Sequence, residues 1–257
     1  MPTDSPARPV LLAFLGASNL ARGYTALSHF LARGLAPHPV ECLAAMGPGR
    51  GYVASGGLWN ITYPPIAQCG LLEAVRERAA SGRNVAAFVT DIGNDIMYGV
   101  PADEIIGCLD KIFQVFDDVA GQVLVTPIPL DLEKDIGPGT FRRLRALYFP
   151  RSQVTLAQAT RAVNEINAFI RTCRSARVHP LEGMEAFRGF DKIHYAVLRN
   201  APAWTRVGEE MLRLFQARPR FPRRIGCGRM LHSFGCNAGR LIFMDALRLR
   251  PRPGALY

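Results

Sequence analysis

Residues 9–15 read PVLLAFL, seven positions without a charge, and the next segment repeats its apolar residues Leu20, Tyr24, Leu27 and Leu31 at helical spacing. This pairing recurs along the chain. A run that is apolar at every position is buried on both faces, as strands of a parallel sheet between helical layers are. Further short, largely apolar runs that read as strands lie at residues 39–45, 85–90 and 122–126, with a shorter one at 177–180. Helices are expected over residues 20–35, 66–80, 101–119, 154–173 and 203–215, with a breaker at 137–140. Residues 46–65, rich in Gly, Pro and Tyr, read as a long functional loop. Alternating strands and helices with right-handed crossovers give an α/β fold. The expected architecture is a doubly wound, five-stranded parallel sheet in three α/β/α layers.

Charge divides the chain in two. Residues 216–257 carry nine arginines and one acid, Asp245, a balance of +8 within a total of +10. The remainder is near neutral, which excludes a nucleic-acid-binding core. The expected organisation is therefore a domain over residues 1–216 and a basic extension over 217–257. The extension is rich in Arg, Pro and Gly and reads as loosely packed or disordered, with one short amphipathic helix in 237–249. Its removal is expected to leave activity within a few-fold. Cys227, His232 and Cys236 offer three zinc donors, one fewer than a closed structural site uses, so no metal is expected. No secretory pattern or membrane-spanning run is visible, and the six cysteines lack a framework spacing. The default expectation is a cytoplasmic protein with reduced thiols.

Four short segments follow strands, where open parallel sheets carry their sites. Gly16-Ala17-Ser18-Asn19-Leu20 puts a serine at a helix start, whose N–H groups and dipole favour a developing oxyanion. The same position suits an N-cap serine. Met46-Gly47-Pro48-Gly49-Arg50-Gly51 lets backbone N–H groups approach a ligand. It lacks the Gly-Lys-Ser/Thr ending of a phosphate loop. Asp91-Ile92-Gly93-Asn94-Asp95 presents an amide able to donate to a carbonyl oxygen, and is equally ordinary turn chemistry. Asp191-Lys192-Ile193-His194 spaces a carboxylate to hold an imidazole Nδ1 and leave Nε2 free as a base. A chance surface pair has the same spacing.

The order of these segments, spread over residues 16 to 195, resembles that of the SGNH (GDSL-like) hydrolases. Their four blocks carry Ser, Gly, Asn and His in this order. The resemblance implies Ser18 as nucleophile, with Asp191 and His194 completing a triad. It further implies an oxyanion hole made by the Ser18 N–H, the Gly49 N–H and the Asn94 amide, with Gly47 and Gly51 as alternatives to Gly49. It departs from the family pattern at Ala17, Asn19 and Ile92, none of which removes a reacting group. The Gly-x-Ser-x-Gly signature of the α/β-hydrolases is absent. The expected activity is hydrolysis of a small-molecule ester or thioester through an acyl-enzyme, with no cofactor. Arg50 and Trp59 are weak candidates for substrate contact, and Tyr63 for a pocket wall. Two other readings remain at this point: a catalytically inactive binding protein of the same fold, and an adaptor that uses the basic tail on an anionic partner.

Overall fold

The computed structural model describes residues 8–58, 60–216 and 224–257. Five parallel strands form one sheet in the order β2-β1-β3-β4-β5. They are β1 (Val10–Leu15), β2 (Val40–Ala45), β3 (Asn84–Val89), β4 (Gln122–Val125) and β5 (Val178–Pro180). Every residue of β1 is buried, because the strand has neighbours at both edges and helices on both faces. Leu11, Ala13 and Leu15 face a core shared with α2 (Leu71–Ala79), α4 (Ala102–Asp118) and α7 (Leu156–Thr172). Val10, Leu12 and Phe14 face the other core, built with α1 (Ser18–Gly34) and α8 (Asn200–Leu214). The period-2 alternation of one strand thus feeds two cores, and the three-layer, doubly wound expectation holds.

The chain steps from β1 to β2 on one side and then to β3 on the other. Such a reversal of winding opens a crevice outside the carboxyl ends of the two inner strands. Leu15 is in register with Ala45 and with Val89, so β1, β2 and β3 finish level. The loops after them therefore start side by side.

Two regions differ from the sequence-based expectation. Residues 137–140 are not a breaker. Gly137 is the N-cap of α6 (Pro138–Tyr148), and Pro138 stands in its first turn, where a missing N–H and a fixed φ cost nothing. Short helices α3 (Asn94–Met97) and α5 (Leu132–Asp135) complete this part of the chain.

The second difference is the extension. Its residues 217–223, where the domain boundary was expected, lie outside the described residues. Residues 224–257 are packed, not loose. They form α9 (Cys227–Arg240) and a π-helical continuation over Leu241–Ala246. Met230 and Ser233 are buried against the α1 side of the sheet. The Ser233 hydroxyl donates to the Arg22 carbonyl at 2.7 Å and accepts from the Ala26 N–H at 3.3 Å, bridging one turn of α1. Leu256 pairs in parallel with Ala44 at the β2 edge, through Ala44 N–H to Ala255 and Tyr257 N–H to Ala44, both at 2.9 Å. Composition misled here because a few well-placed contacts outweigh an average. Among the described residues no helix is long and apolar enough to cross a membrane.

Gly23 of α1 packs against Trp204 of α8. A Cβ there would lie 2.0 Å from the Trp204 ring, which is fully buried. Helix propensity alone favours alanine by about 1 kcal/mol. Overpacking against a rigid buried ring costs typically 1–3 kcal/mol, and this overlap lies at the severe end. Gly23→Ala should therefore lower the melting temperature by several degrees, as read by circular dichroism. An unchanged or raised melting temperature would show that Trp204 moves freely.

Candidate active site

Ser18 is the first residue of α1, three residues past the end of β1. Its N-cap position is taken by Ala17, whose side chain cannot accept a hydrogen bond, and the cap comes from another strand instead. Asp91, after β3, accepts from the N–H groups of Ala17 and Leu20 through Oδ2, at 3.0 and 3.1 Å. Its left-handed backbone, φ 58°, turns it toward the helix, a conformation Asp tolerates better than most residues. Capping is thus done by Asp91, and the Ser18 hydroxyl is left for another partner. That partner is His194, whose Nε2 lies 3.0 Å from Ser18 Oγ.

His194 Nδ1 stands 2.6 Å from Asp191 Oδ2. The tautomer follows from these partners: a carboxylate takes a proton on Nδ1, so Nε2 carries the lone pair and accepts from the Ser18 hydroxyl. Asp191 Oδ1 also accepts from the N–H groups of Ile193 at 3.1 Å and His194 at 2.9 Å. Burial pushes the Asp191 carboxyl up, but the bonds from the His194 ring and backbone and the Ile193 N–H together outweigh it and hold it at about 2. Asp191 is therefore anionic at neutral pH.

Asn19, a departure from the family pattern, ties these pieces together. Its Nδ2 donates to Asp91 Oδ1 at 2.9 Å and to the Ile193 carbonyl at 3.2 Å, and its Oδ1 accepts from the Tyr195 N–H at 3.1 Å. Tyr148 of α6 also borders the pair. Its hydroxyl is 3.4 Å from Asp191 Oδ2 and its ring stands edge-on to the His194 ring.

The third and second segments meet at Asn94. Its Nδ2 donates to the Arg50 carbonyl at 2.9 Å, which leaves one amide hydrogen for another acceptor. Asp95 holds the same loop by accepting from the N–H groups of Tyr52, Val53 and Ala54 at 2.6, 3.1 and 2.8 Å. The Tyr52 hydroxyl lies 2.8 and 2.7 Å from the Leu15 and Thr90 carbonyls, linking this loop to the ends of β1 and β3. Gly49 has φ 71°, and a Cβ there would lie 2.4 Å from the Gly57 carbonyl oxygen. Its own carbonyl accepts from Tyr98 at 2.5 Å. The N–H groups of Ser18 and Gly49 have no hydrogen-bond acceptor among the described residues.

Sequence reasoning missed Asn19, Asp91, Asp95 and Tyr148. The first three lie in the same short segments as the motif residues, and nothing in the sequence shows that their side chains bond across strands. Tyr148 lies on a helix that the Gly-Pro-Gly stretch concealed.

Two candidates are corrected. Arg50 does not line the Ser18 cavity. It is fully buried, with Nε donating to Pro64 at 3.0 Å and Nη1 to the Tyr257 main-chain oxygen. A glycine-rich loop after a strand suggested solvent, but the loop is covered by the end of the chain. Tyr63 is likewise buried away from that cavity, donating to Asp245 at 2.7 Å. Trp59 lies outside the described residues.

Ser18 and Asn94 line a cavity of about 140 Å³ whose remaining wall is mostly apolar, with Ile96, Ile128, Phe141, Leu144, Phe149 and Val163. Phe141, Leu144 and Phe149 belong to α6 and its C-terminal end, so this cavity depends on the helix the sequence did not reveal.

No protein-family model and no curated protein sequence matches the chain. Several solved structures similar to it are named as SGNH or GDSL-family hydrolases or esterases. One named TesA is 16% identical, with 79% of this chain and 99% of that chain covered and a TM-score of 0.47. A member of the lipolytic G-D-S-L family from Veillonella parvula is 12% identical, covering 80% and 98%, with a TM-score of 0.46. An acetyl xylan esterase from Geobacillus stearothermophilus is 12% identical, covering 84% and 99%, with a TM-score of 0.40.

Proposed function

We propose that the chain is a serine esterase of the SGNH type that cleaves esters or thioesters of medium-length aliphatic acids through an acyl-enzyme. The observation that carries this reading is the hydrogen-bonded series Ser18–His194–Asp191 opening into an apolar cavity. Ser18 Oγ attacks the substrate carbonyl carbon while His194 Nε2 takes its proton. Asp191 holds the imidazole and stabilises its charged form. The oxyanion forms against the Ser18 N–H, the Gly49 N–H and the free amide hydrogen of Asn94. His194 returns the proton to the departing alcohol or thiol. It then removes one from water, whose hydroxide releases the acid and regenerates Ser18.

The acyl part follows from the cavity. An apolar void of about 150 Å³ holds a benzene ring, so 140 Å³ lined by aliphatic and aromatic side chains suits an acyl chain of about six carbons. A series of p-nitrophenyl esters from acetate to laurate should give kcat/KM rising to a maximum near that length and falling beyond it. Ala159, buried in the same lining, provides the control. Ala159→Leu fills part of the cavity and should move the maximum to shorter acids with acetate turnover largely kept. A flat profile, or one unmoved by Ala159→Leu in a folded protein, would remove the cavity from acyl selection. A fluorophosphonate label located by mass spectrometry tests the nucleophile itself. A label on any serine other than Ser18 would overturn the reading.

A further inference from the structure

The described end of the extension converges on the glycine loop. Asp245 is the single acid of residues 216–257, and its side chain is fully buried. It accepts from the Tyr63 hydroxyl at 2.7 Å and from Arg252 Nε and Nη2, both at 3.0 Å, with Arg240 Nη1 at 3.4 Å. Tyr63 in turn supports the loop from below. Its ring occupies the space a Cβ on Gly47 would need, at 2.4 Å, and its backbone pairs with Gly56 through bonds of 2.8 and 3.2 Å. Arg252 and Arg50 lie over the same ring at 5.3 and 5.7 Å. Two further ties run directly to the loop. Arg240 Nη1 donates to the Met46 carbonyl at 3.3 Å, and Arg50 is bound to the Tyr257 main-chain oxygen.

These contacts fall on residues 46, 47, 50, 56 and 63, on both sides of Gly49. Asn94, Asp95 and Tyr98 hold the loop from the β3 side, and Gly49 needs a left-handed backbone at close approach to Gly57. A donor that acts on a transition state must be held in place before the reaction, or its ordering is charged against the barrier. A buried carboxylate with matched donors is rigid, and removing one partner leaves buried charge uncompensated.

We infer that residues 240–257 are a latch that fixes the Gly47–Gly51 loop in its oxyanion-binding shape, with Asp245 as the positioning residue at its centre. The inference rests on the proposed oxyanion role of Gly49. Asp245 touches no substrate. It acts through Tyr63 and the two arginines on the direction of the Gly49 N–H.

The test uses the full chain, two single variants and their combinations with Asn94→Ala. Tyr63→Phe keeps the ring under Gly47 and removes only its bond to Asp245. Asp245→Asn keeps the shape and removes the charge. Each should lower kcat for the best p-nitrophenyl ester by about 10- to 100-fold, the scale of a small misplacement transmitted from outside the chemistry. KM should stay within about 2-fold, because the oxyanion exists mainly in the transition state. Combined with Asn94→Ala, the loss should be clearly smaller than the product of the single losses, since both act on one oxyanion site. Backbone hydrogen exchange should quicken over residues 44–57. All rates are taken per folded molecule, and Tyr63→Phe decides alone if Asp245→Asn does not fold. Wild-type kcat in folded Tyr63→Phe, a rise in KM without a fall in kcat, or losses that multiply fully with Asn94→Ala would each overturn the latch. Failure of the underlying reading looks different: the wild-type protein would then hydrolyse no ester and take no fluorophosphonate at Ser18.

Discussion

Ser18→Ala should lower kcat by about 10⁴- to 10⁶-fold and abolish fluorophosphonate labelling, the range found when a triad nucleophile is removed. The magnitude follows from the loss of the covalent route. Water bound in the cavity would have to attack the ester directly, helped only by the remaining donors. The fold should be unaffected, because the Ser18 side chain does not cap α1. That work is done by Asp91, which holds the N–H groups of Ala17 and Leu20. The two consequences are separable in one preparation. Melting temperature near that of the wild type, with turnover gone, is the expected pair. A variant that keeps its turnover would remove Ser18 from the chemistry. A variant that loses melting temperature together with turnover would assign it a structural duty that its hydrogen bonds do not indicate.

Asn94→Ala should lose on the order of 10²–10³ in kcat with KM nearly unchanged, the usual cost of one oxyanion donor. One amide hydrogen of Asn94 is spent on the Arg50 carbonyl, so a fraction of the loss is positional: the glycine loop is freed at one point. Asn94→Asp loses both contributions at once, because a carboxylate can donate neither to the oxyanion nor to the Arg50 carbonyl. It keeps an oxygen in place of the donor and adds negative charge where negative charge must develop, so it should be at least as damaging as alanine. Fluorophosphonate should still react with both variants, more slowly, because Ser18 and His194 are untouched. Activity per folded molecule equal to the wild type, with only a lowered melting temperature, would make Asn94 a turn residue and nothing more.

The frame of the fold was legible in the sequence because its inner strands are buried on both faces and therefore almost wholly apolar, as in residues 9–15 and 85–90. The positions of Ser18 and Asn94 were legible because each lies just beyond a strand, where a parallel sheet opens its crevice, whereas Asp191 and His194, well past the end of β5 at Pro180, were legible from their own spacing. What stayed hidden depended on distant partners. Arg50 reads as a loop arginine until Tyr257, 207 residues away, covers it. Asp245 reads as one acid in a basic tail until Arg240, Arg252 and Tyr63 surround it. Pro138 reads as an interruption because the same residue that ends helices also begins them. The cavity wall built by Phe141 and Leu144 was lost with that helix.

The level finish of β1, β2 and β3 has a consequence for how such a chain can vary in length. Three of its loops leave the sheet at one height, with Leu15, Ala45 and Val89 abreast. One residue gained or lost inside any of these strands would shift its loop by about 3.3 Å and turn its side chains to the opposite face. Ser18, Gly49 and Asn94 would then no longer converge. Residues 127–153 carry none of these three groups, although β4 before them also finishes level, with Val125 abreast of Val89. Insertions and deletions there would resize the apolar cavity, provided that Tyr148 keeps its place beside Asp191 and His194. Length change, as distinct from substitution, therefore has one permissive stretch through which this scaffold can acquire a different appetite.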